Sequence, residues 1–165
     1  MTYTVPTTRY PLRINIGFLQ NQPVGTSREI HFETPDFQLA EEFKPTEVKG
    51  LIRVSRTPQG VLAQGVFQTS VTTECVRCLD EYQQFLRADF TELFSYHSHP
   101  TTESSMVIPE DGNVDFAPLV REYLLLEVPI KLLCREECRG LCPECGENLN
   151  LTTCEHQSQM IKNES

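Results

Sequence analysis

Two long runs of alternating apolar and polar residues meet at the stretch Val71-Thr-Thr-Glu-Cys-Val-Arg-Cys-Leu-Asp-Glu-Tyr82. The run before it places on one face Val61, Ala63, Phe67, Val71 and Cys75, and the run after it places on one face Tyr82, Leu86, Ala88, Phe90, Phe94 and Tyr96. Alternation with a period of two is typical of strands that bury one face. Cys75-Val-Arg-Cys78 is therefore predicted to be the turn between two antiparallel strands, and this placement makes the cysteine pair a candidate metal knuckle.

The alternation continues towards the N-terminus of the chain. An earlier run carries Val48, Gly50, Ile52 and Val54, and it stops at a turn in which Pro58 presets the backbone and Gly60 closes the loop. Residues 46–96 are therefore predicted to form an antiparallel meander. A separate run at the front places on one face Tyr10, Leu12, Ile14, Ile16 and Phe18. His31 lies alone in a further strand-like run and carries no functional signal.

One helix is predicted after the meander. Asp115 is a candidate N-cap, and Pro118 falls in the first turn. Proline is tolerated there because N–H groups in the first turn have no acceptor within the helix. Apolar residues follow until Pro129, which ends the helix. Together the patterns predict a β-rich α+β fold. Its parts are a twisted antiparallel β meander, open or barrel-like, one main helix and a cysteine-rich C-terminal segment.

Length and charge limit the class of protein. The 165 residues are predicted to form one domain over 1–165, and the net charge of −9 argues against a general nucleic-acid coat. Residues 88–120 contain no Lys or Arg, and 97–114 are predicted to be a flexible acidic loop. No apolar run approaches the roughly 20 residues of a membrane span, and no secretory signal is recognisable. These features predict a cytoplasmic protein with no membrane partner.

Seven cysteines and one histidine provide eight candidate metal ligands. They come in four pairs: Cys75/Cys78 and Cys142/Cys145 in tight C-x-x-C turns, and Cys134/Cys138 and Cys154/His156 at looser spacing. Zinc takes four tetrahedral nitrogen or sulfur ligands, so eight ligands match two closed sites. We therefore predict a zinc-binding segment at 134–156 and two structural zinc ions, one bound by Cys75, Cys78, Cys134 and Cys138, the other by Cys142, Cys145, Cys154 and His156.

Other uses of these side chains stay open at the level of sequence. The cysteines of 134–145 could instead form one contiguous quartet, and His156 could be a solvated residue of the tail. The same thiolates could hold an iron–sulfur cluster, and the first C-x-x-C pair could be a redox pair. His97 and His99 are close enough to catch a metal ion, but a flexible loop usually leaves such side chains free.

Enzymatic motifs are missing from the sequence. It contains no phosphate-binding glycine loop, no nucleophile elbow and no His-Glu-x-x-His motif, and its carboxylates form no recognisable acid–base pair. A zinc ion that is fully ligated by protein has no open position for a water molecule. We therefore predict a non-enzymatic protein, without catalytic residues and without a small-molecule substrate.

Four cations lie within or beside the cysteine motifs: Arg77, Lys131, Arg135 and Arg139. One interpretation is a small patch that contacts RNA phosphates. The other is local charge neutralisation, because a zinc site of four cysteines carries about −2 and one of three cysteines and a histidine about −1. Both interpretations stay open at this stage.

These motifs together resemble the YceD family, whose members are described as large ribosomal RNA subunit accumulation proteins of bacteria and plastids. The resemblance covers about residues 10–156. It rests on Thr73-Glu-Cys-Val-Arg-Cys-Leu79, on Val114-Asp-Phe116 with Leu124-Leu-Leu-Glu-Val-Pro129, and on Leu133-Cys-x-x-x-Cys-x-Gly-Leu-Cys-Pro-x-Cys-Gly-x-Asn-Leu-Asn150. Members with a full C-terminal set often end in Cys-x-Cys, where this chain has Cys154-Glu-His156.

The resemblance implies a role in ribosome biogenesis, through accumulation or processing of the large-subunit ribosomal RNA, and supplies no catalytic residues. Some members lack the second C-x-x-C knuckle yet keep counterparts of Cys75, Cys78 and Cys138, which favours the first zinc site as the shared one. The implied partner is large-subunit ribosomal RNA or a pre-ribosomal or RNA-processing protein. The rival function is a zinc-stapled protein-interaction module that acts on a nuclease or a transcription component.

Overall fold

The computed structural model describes residues 3–4, 12–96 and 106–156 of the chain. These ranges contain one α-helix, α1 (Ala117–Leu126), and one 3₁₀ helix (Gly17–Asn21). They also contain eight strands: β1 (Tyr3–Thr4), β2 (Arg13–Asn15), β3 (Ser27–Phe37), β4 (Thr46–Arg56), β5 (Gly60–Glu74), β6 (Glu81–Ser95), β7 (Met106–Val107) and β8 (Asn113–Asp115). None of the helices in these ranges is long and apolar enough to cross a membrane.

Six of the strands form one sheet in the order β1-β3-β4-β5-β6-β7. Strand β4 pairs antiparallel with β3 and β5, whereas the two-residue strands β1 and β7 pair parallel with β3 and β6. Strands β2 and β8 pair antiparallel in a separate small sheet. The β-rich fold with a mainly antiparallel sheet and one main helix is confirmed. The sheet is open and not a barrel, because its end strands β1 and β7 are not neighbours.

The predicted meander corresponds to three consecutive strands, β4, β5 and β6, and the strand-like run around His31 is β3. The front run forms a strand only in β2, so its predicted continuation through Phe18 is wrong. The N–H groups of Ile16 and Gly17 both donate to the carbonyl of Gly112, at 2.8 and 3.3 Å, and the chain turns there into the 3₁₀ helix. Tyr10, the first residue of that run, lies outside the described residues.

The chain divides into two compact units. Unit 1 consists of Met1–Ser70 and Phe85–Glu127, and unit 2 of Val71–Gln84 and Val128–Ser165. Unit 1 contains α1 and most of the sheet, whereas unit 2 contains every cysteine of the chain. The single domain expected over 1–165 stays a prediction.

An aromatic cluster fills the core of unit 1. The Phe90 ring of β6 lies 5.8 Å from the Phe67 ring of β5, between ring centroids. It also lies 6.2 Å from the ring of Phe116, just before α1, and 5.8 Å from that of Tyr123 on α1. Each aromatic pair of this kind contributes about 0.5–1.5 kcal/mol beyond the area that it buries. These contacts hold α1 against the sheet within unit 1.

The N-cap of the helix lies one residue later than predicted. Phe116 occupies the N-cap position and makes no side-chain capping bond. Asp115 still caps the helix, because its Oδ1 accepts the N–H of Ala117 at 3.0 Å. Pro118 lies in the first turn, and the helix ends at Leu126, before Pro129, as predicted.

The acidic loop predicted at 97–114 is described only in part. Residues 97–105, with His97 and His99, lie outside the described residues. The described remainder contains the short strand β7 and the start of β8. Two segments of this stretch therefore have a defined backbone, and its flexibility stays a prediction for the rest.

Gly65 on β5 faces the ring of Phe90, and we expect Gly65→Ala to destabilise unit 1. A Cβ at this position would collide with Cε1 and Cδ1 of that ring. Overpacking of a core costs about 1–3 kcal/mol, whereas a glycine-to-alanine change at an open site is usually stabilising. Urea unfolding would measure the loss, with Gln64→Ala at the exposed neighbouring position as control. Equal stability of the two variants would contradict this packing.

Candidate metal centres

Unit 2 brings the eight predicted ligands together in two groups of four. In each group the candidate ligand atoms all lie within 4.8 Å of one another. Site 1 consists of Cys75, Cys78, Cys134 and Cys138, and site 2 consists of Cys142, Cys145, Cys154 and His156. The grouping is the division preferred from the sequence and not the contiguous quartet. Each group could hold a metal ion.

The two C-x-x-C turns share one pattern of main-chain hydrogen bonds. In site 1 the N–H of Cys75 donates to the carbonyl of Asp80 at 2.9 Å, and the N–H of Leu79 donates to the carbonyl of Cys75 at 2.9 Å. In site 2 the N–H of Cys142 donates to the carbonyl of Glu147 at 2.8 Å, and the N–H of Gly146 donates to the carbonyl of Cys142 at 2.8 Å. Both turns therefore curl back so that two thiols point to one centre.

The residue after each second cysteine adopts a left-handed backbone. Gly146 has a φ of +77° and needs no Cβ there, but Leu79 has a φ of +63°. A side chain in this conformation costs roughly 1–2 kcal/mol. The leucine side chain is 55% exposed, so the free energy of its own packing offsets only part of this conformational cost. The knuckle of site 1 is consequently held in a strained form that the rest of the site must stabilise.

The sulfur positions of site 1 fit a single tetrahedral ion. The Sγ atoms of Cys75 and Cys138 lie 3.7 Å apart, and so do those of Cys78 and Cys134. A tetrahedron with metal–sulfur bonds of about 2.3 Å has edges of about 3.8 Å. A disulfide would need about 2.05 Å, and an iron–sulfur cluster would place several irons and sulfides between the thiolates. The distances therefore favour one ion over an iron–sulfur cluster, and none of the four cysteines is joined in a disulfide.

Burial and hydrogen bonding act on the thiols of site 1 in opposite directions. Burial raises the pKa of Cys75, but the N–H groups of Cys78, Cys134 and Arg77 outweigh burial and lower it to about 6. The N–H of Asp80 lowers the pKa of Cys78, but burial and the neighbouring thiols raise it to about 12. Cys75 is thus the more acidic thiol of the first knuckle, and Cys78 is the less acidic one.

Site 2 is less buried than site 1, and one nitrogen of its histidine is buried without a hydrogen-bond partner in the described part of the chain. Cys142 is buried, Cys145 is exposed and Cys154 is intermediate. The Nδ1 atom of His156 is buried without a hydrogen-bond partner among the described residues. Such an atom costs about 1–3 kcal/mol unless something binds it. A metal ion coordinated through Nδ1 of this histidine would give that atom a partner, so the residues of site 2 also fit a metal.

The thiols of the second C-x-x-C turn differ as those of the first do. The N–H groups of Cys145 and Glu144 lower the pKa of Cys142 to about 7. The N–H of Glu147 lowers the pKa of Cys145, but burial and the thiols of Cys142 and Cys154 raise it overall. Each turn therefore has its more acidic thiol first.

The four cations near the motifs do not share one environment. The guanidinium of Arg77 donates from an Nη atom to the carbonyl of Cys138 at 2.9 Å, and its own carbonyl accepts the N–H of Leu141 at 3.2 Å. Lys131, Arg135 and Arg139 are exposed side chains of the segment that carries the ligands. Arg77 is itself exposed like the other three cations, but its guanidinium is part of the frame of site 1.

Two residues around the ligands were not singled out by sequence reasoning. Asn148 and Asn150 lie between the ligand pairs of site 2, and the amide of Asn150 donates to Sγ of Cys138 at 3.3 Å. This hydrogen bond is the main reason why the pKa of Cys138 is lowered. The only signal in the sequence was Asn148-Leu-Asn150 itself. These two asparagines follow the second knuckle in a stretch whose pattern predicts neither a strand nor a helix.

A family model matches residues 63–164, which include both sites. Its description is "Large ribosomal RNA subunit accumulation protein YceD". No solved structure gives a significant match to the chain.

Curated relatives match over similar lengths. An uncharacterized protein of Mycobacterium tuberculosis is 33% identical over 101 residues, which are 58% of this chain and 48% of that protein. A maize protein named "Large ribosomal RNA subunit accumulation protein YCED homolog 1, chloroplastic" is 24% identical over 141 residues, 66% of this chain and 47% of that one. A Bacillus subtilis protein is 27% identical over 119 residues, 71% of this chain and 68% of its own. The chain spans about half the length of the mycobacterial and maize relatives.

Proposed function

Because the chain belongs to the YceD family, we propose that it is a non-enzymatic factor for accumulation of the large-subunit ribosomal RNA, with two structural zinc ions in unit 2. The observation that carries the proposal is the family match over residues 63–164, within which all eight candidate ligands lie. The relatives from maize and Arabidopsis thaliana are named for the same role. A cytoplasmic location stays a prediction, since the names of these plant relatives include the word chloroplastic.

Zinc is the metal that the ligand chemistry favours. Four thiolates in site 1, and three thiolates with one imidazole in site 2, are donor sets typical of structural zinc. Both sets consist of four protein ligands, so neither would leave a position for water or substrate. Zinc in these sites would hold the backbone of unit 2 in place and would supply no reaction chemistry, which supports a non-enzymatic role.

Three exposed cations of unit 2 are the proposed points of contact with RNA. Lys131, Arg135 and Arg139 lie on the ligand-bearing segment, so zinc would fix their backbone positions. Cationic side chains on a fixed frame can neutralise neighbouring phosphates of an RNA. Arg77 is not included in this patch, because its guanidinium is bound to the carbonyl of Cys138.

A protein partner is the alternative route to the same effect on RNA. The net charge of −9 repels a polyanion over most of the surface and favours contact with other proteins. Under this alternative the chain would act on a nuclease or a transcription component, and ribosomal RNA levels would change indirectly. Affinity capture of the tagged protein, with and without ribonuclease, separates the two routes. Captured partners that survive ribonuclease would favour the protein route.

Deletion of the gene is the direct test of the proposed role. We expect cells without the protein to accumulate less mature large-subunit ribosomal RNA, with a smaller change in small-subunit RNA. The ratio of the two RNAs, measured by electrophoresis of total RNA, is the readout. Complementation by the wild-type gene should restore the ratio. An unchanged ratio in the deletion strain would contradict the proposed function.

A further inference from the structure

The loop between the two ligand pairs of site 2 also contacts site 1. Residues 146–153 connect the second C-x-x-C turn to Cys154, and they include Asn148 and Asn150. The Nδ2 group of Asn150 donates to Sγ of Cys138 at 3.3 Å, and its Oδ1 accepts the N–H of Arg139 at 2.9 Å. One side-chain amide of the site 2 loop therefore holds both a sulfur ligand of site 1 and the backbone beside it.

A second asparagine extends this connection to the knuckle of site 1. The Oδ1 atom of Asn148 accepts the N–H of Asn150 at 3.0 Å, and its Nδ2 group donates to Oδ2 of Asp80 at 3.0 Å. Asp80 in turn closes the first knuckle, because its carbonyl accepts the N–H of Cys75. The two asparagines thus connect the site 2 loop to both halves of site 1.

Main-chain bonds keep this loop beside the chain that leads from site 1 to site 2. The N–H of Leu149 donates to the carbonyl of Gly140 at 2.9 Å, and Leu141 forms an isolated antiparallel bridge with Asn148. An ion in site 2 would bind residues on both sides of the loop and would restrict its conformations. The contact with site 1 then costs less conformational entropy, because much of the ordering has already occurred.

We propose that sites 1 and 2 bind zinc cooperatively and that Asn150 carries the coupling between them. The inference rests on the two zinc sites of the proposed function. Filling site 2 orders the loop, and the ordered loop presents Asn150 to the sulfur of Cys138. Coupling between two binding sites is reciprocal, so zinc in site 1 strengthens binding in site 2 by the same factor. Asn150 is a positioning residue here, and removal of such a residue typically weakens metal binding about ten- to a hundredfold.

A four-protein cycle with cobalt(II) as the probe tests the coupling on the full chain. The proteins are the wild type, Cys145→Ser, Asn150→Leu and the double variant. Cobalt bound by four sulfurs absorbs differently from cobalt bound by three sulfurs and a nitrogen, so the affinity of site 1 can be followed by itself. We expect Cys145→Ser, which opens site 2, to weaken site 1 by about tenfold or more. Asn150→Leu should weaken site 1 similarly, and the double variant should be little worse than either.

Controls separate the coupling from a general loss of structure. Leu151→Ala changes an 80% exposed side chain of the same loop and should leave both affinities unchanged. If Cys145→Ser does not fold, His156→Ala opens the same site from its other end. An affinity of site 1 within twofold of wild type after site 2 is opened would overturn the coupling. Additive losses in the double variant would overturn the role of Asn150.

The wild-type protein distinguishes failure of this inference from failure of the zinc sites. A wild type that binds two ions independently would overturn the coupling and leave the proposed function intact. A wild type that binds no zinc or cobalt would overturn both the coupling and the structural zinc of the proposed function. Two ions that bind with the predicted dependence on Asn150 would support both.

Discussion

Purified protein is expected to contain two zinc ions per chain, and their removal is expected to unfold the described part of residues 128–156. Structural zinc supplies on the order of 10–16 kcal/mol of apparent binding free energy at neutral pH in small modules. This segment has no strand or helix of its own. Its main-chain hydrogen bonds form turns, one isolated bridge between Leu141 and Asn148, and two links from Leu132 and Leu141 to the first knuckle. Elemental analysis would count the zinc. Hydrogen exchange with and without a chelator would locate the loss of protection in this segment, with β3 to β5 and α1 as the protected reference.

Single ligand changes should differ in their effects. Site 1 joins Cys75 to Cys138, which are 63 positions apart, whereas site 2 closes a local loop. The entropy lost on closing a loop grows with its length, so site 1 constrains the chain more. We therefore expect Cys75→Ser to reduce hydrogen-exchange protection more than His156→Ala does. Purified protein that contains no zinc would contradict the prediction of two zinc ions. Purified protein that contains iron, recognised by its visible absorbance, would contradict it as well.

Lower pH should make zinc easier to remove. Zinc binds thiolates, so protons compete with it, and zinc affinity falls as pH falls. The less acidic thiols, such as Cys78 with its pKa raised to about 12, compete with protons already at neutral pH. Below pH 7 Cys142, and below pH 6 Cys75, also bind protons in the metal-free protein, so the fall in zinc affinity should become steeper there. Chelator competition at several pH values would measure this trend.

Much of the fold follows from local patterns that the structure retains. The period-two alternation around Phe67 and Phe90 marks β5 and β6, since the buried face of each strand has to be apolar. The two C-x-x-C turns mark two of the ligand pairs, because this spacing lets one tight turn supply two thiolates to a metal ion. The division between two sites was the preferred one from the sequence, but the spacing left a contiguous quartet of the cysteines of 134–145 open, and the structure separates the two groupings.

Other features depend on tertiary contacts that no local pattern encodes. The front run stops being a strand after Asn15 because the main chain meets Gly112, almost a hundred residues away. Arg77 looks like its neighbouring cations in sequence, and only its bond to the Cys138 carbonyl separates it from them. The role of Asn150 is hidden for the same reason, since its partner sulfur belongs to the other site.

Charge reversal at Lys131, Arg135 and Arg139 together is expected to abolish RNA binding and leave the zinc content unchanged. These side chains are exposed, so their replacement by Glu breaks no buried contact. Each phosphate neutralised contributes about −0.7 to −0.9 to the slope of log affinity against log salt, so three contacts predict a wild-type slope of about −2 to −3. Affinity for large-subunit ribosomal RNA measured over a salt series gives both numbers. Arg28, Arg53 and Arg87 are exposed cations of unit 1, and their reversal matches the change in net charge as a control.

Reversal of Arg77 alone should have the opposite signature. Its guanidinium supports the carbonyl of Cys138, so Arg77→Glu places a carboxylate against that oxygen and should lower the zinc content of site 1. Loss of RNA binding in that variant would follow from loss of the frame and would come with loss of zinc. If the triple variant keeps normal ribosomal RNA levels in cells, the basic patch is not the point of contact. The exposed cations would then serve to offset the charge of the zinc–thiolate sites, and the effect on ribosomal RNA would have to pass through a protein partner.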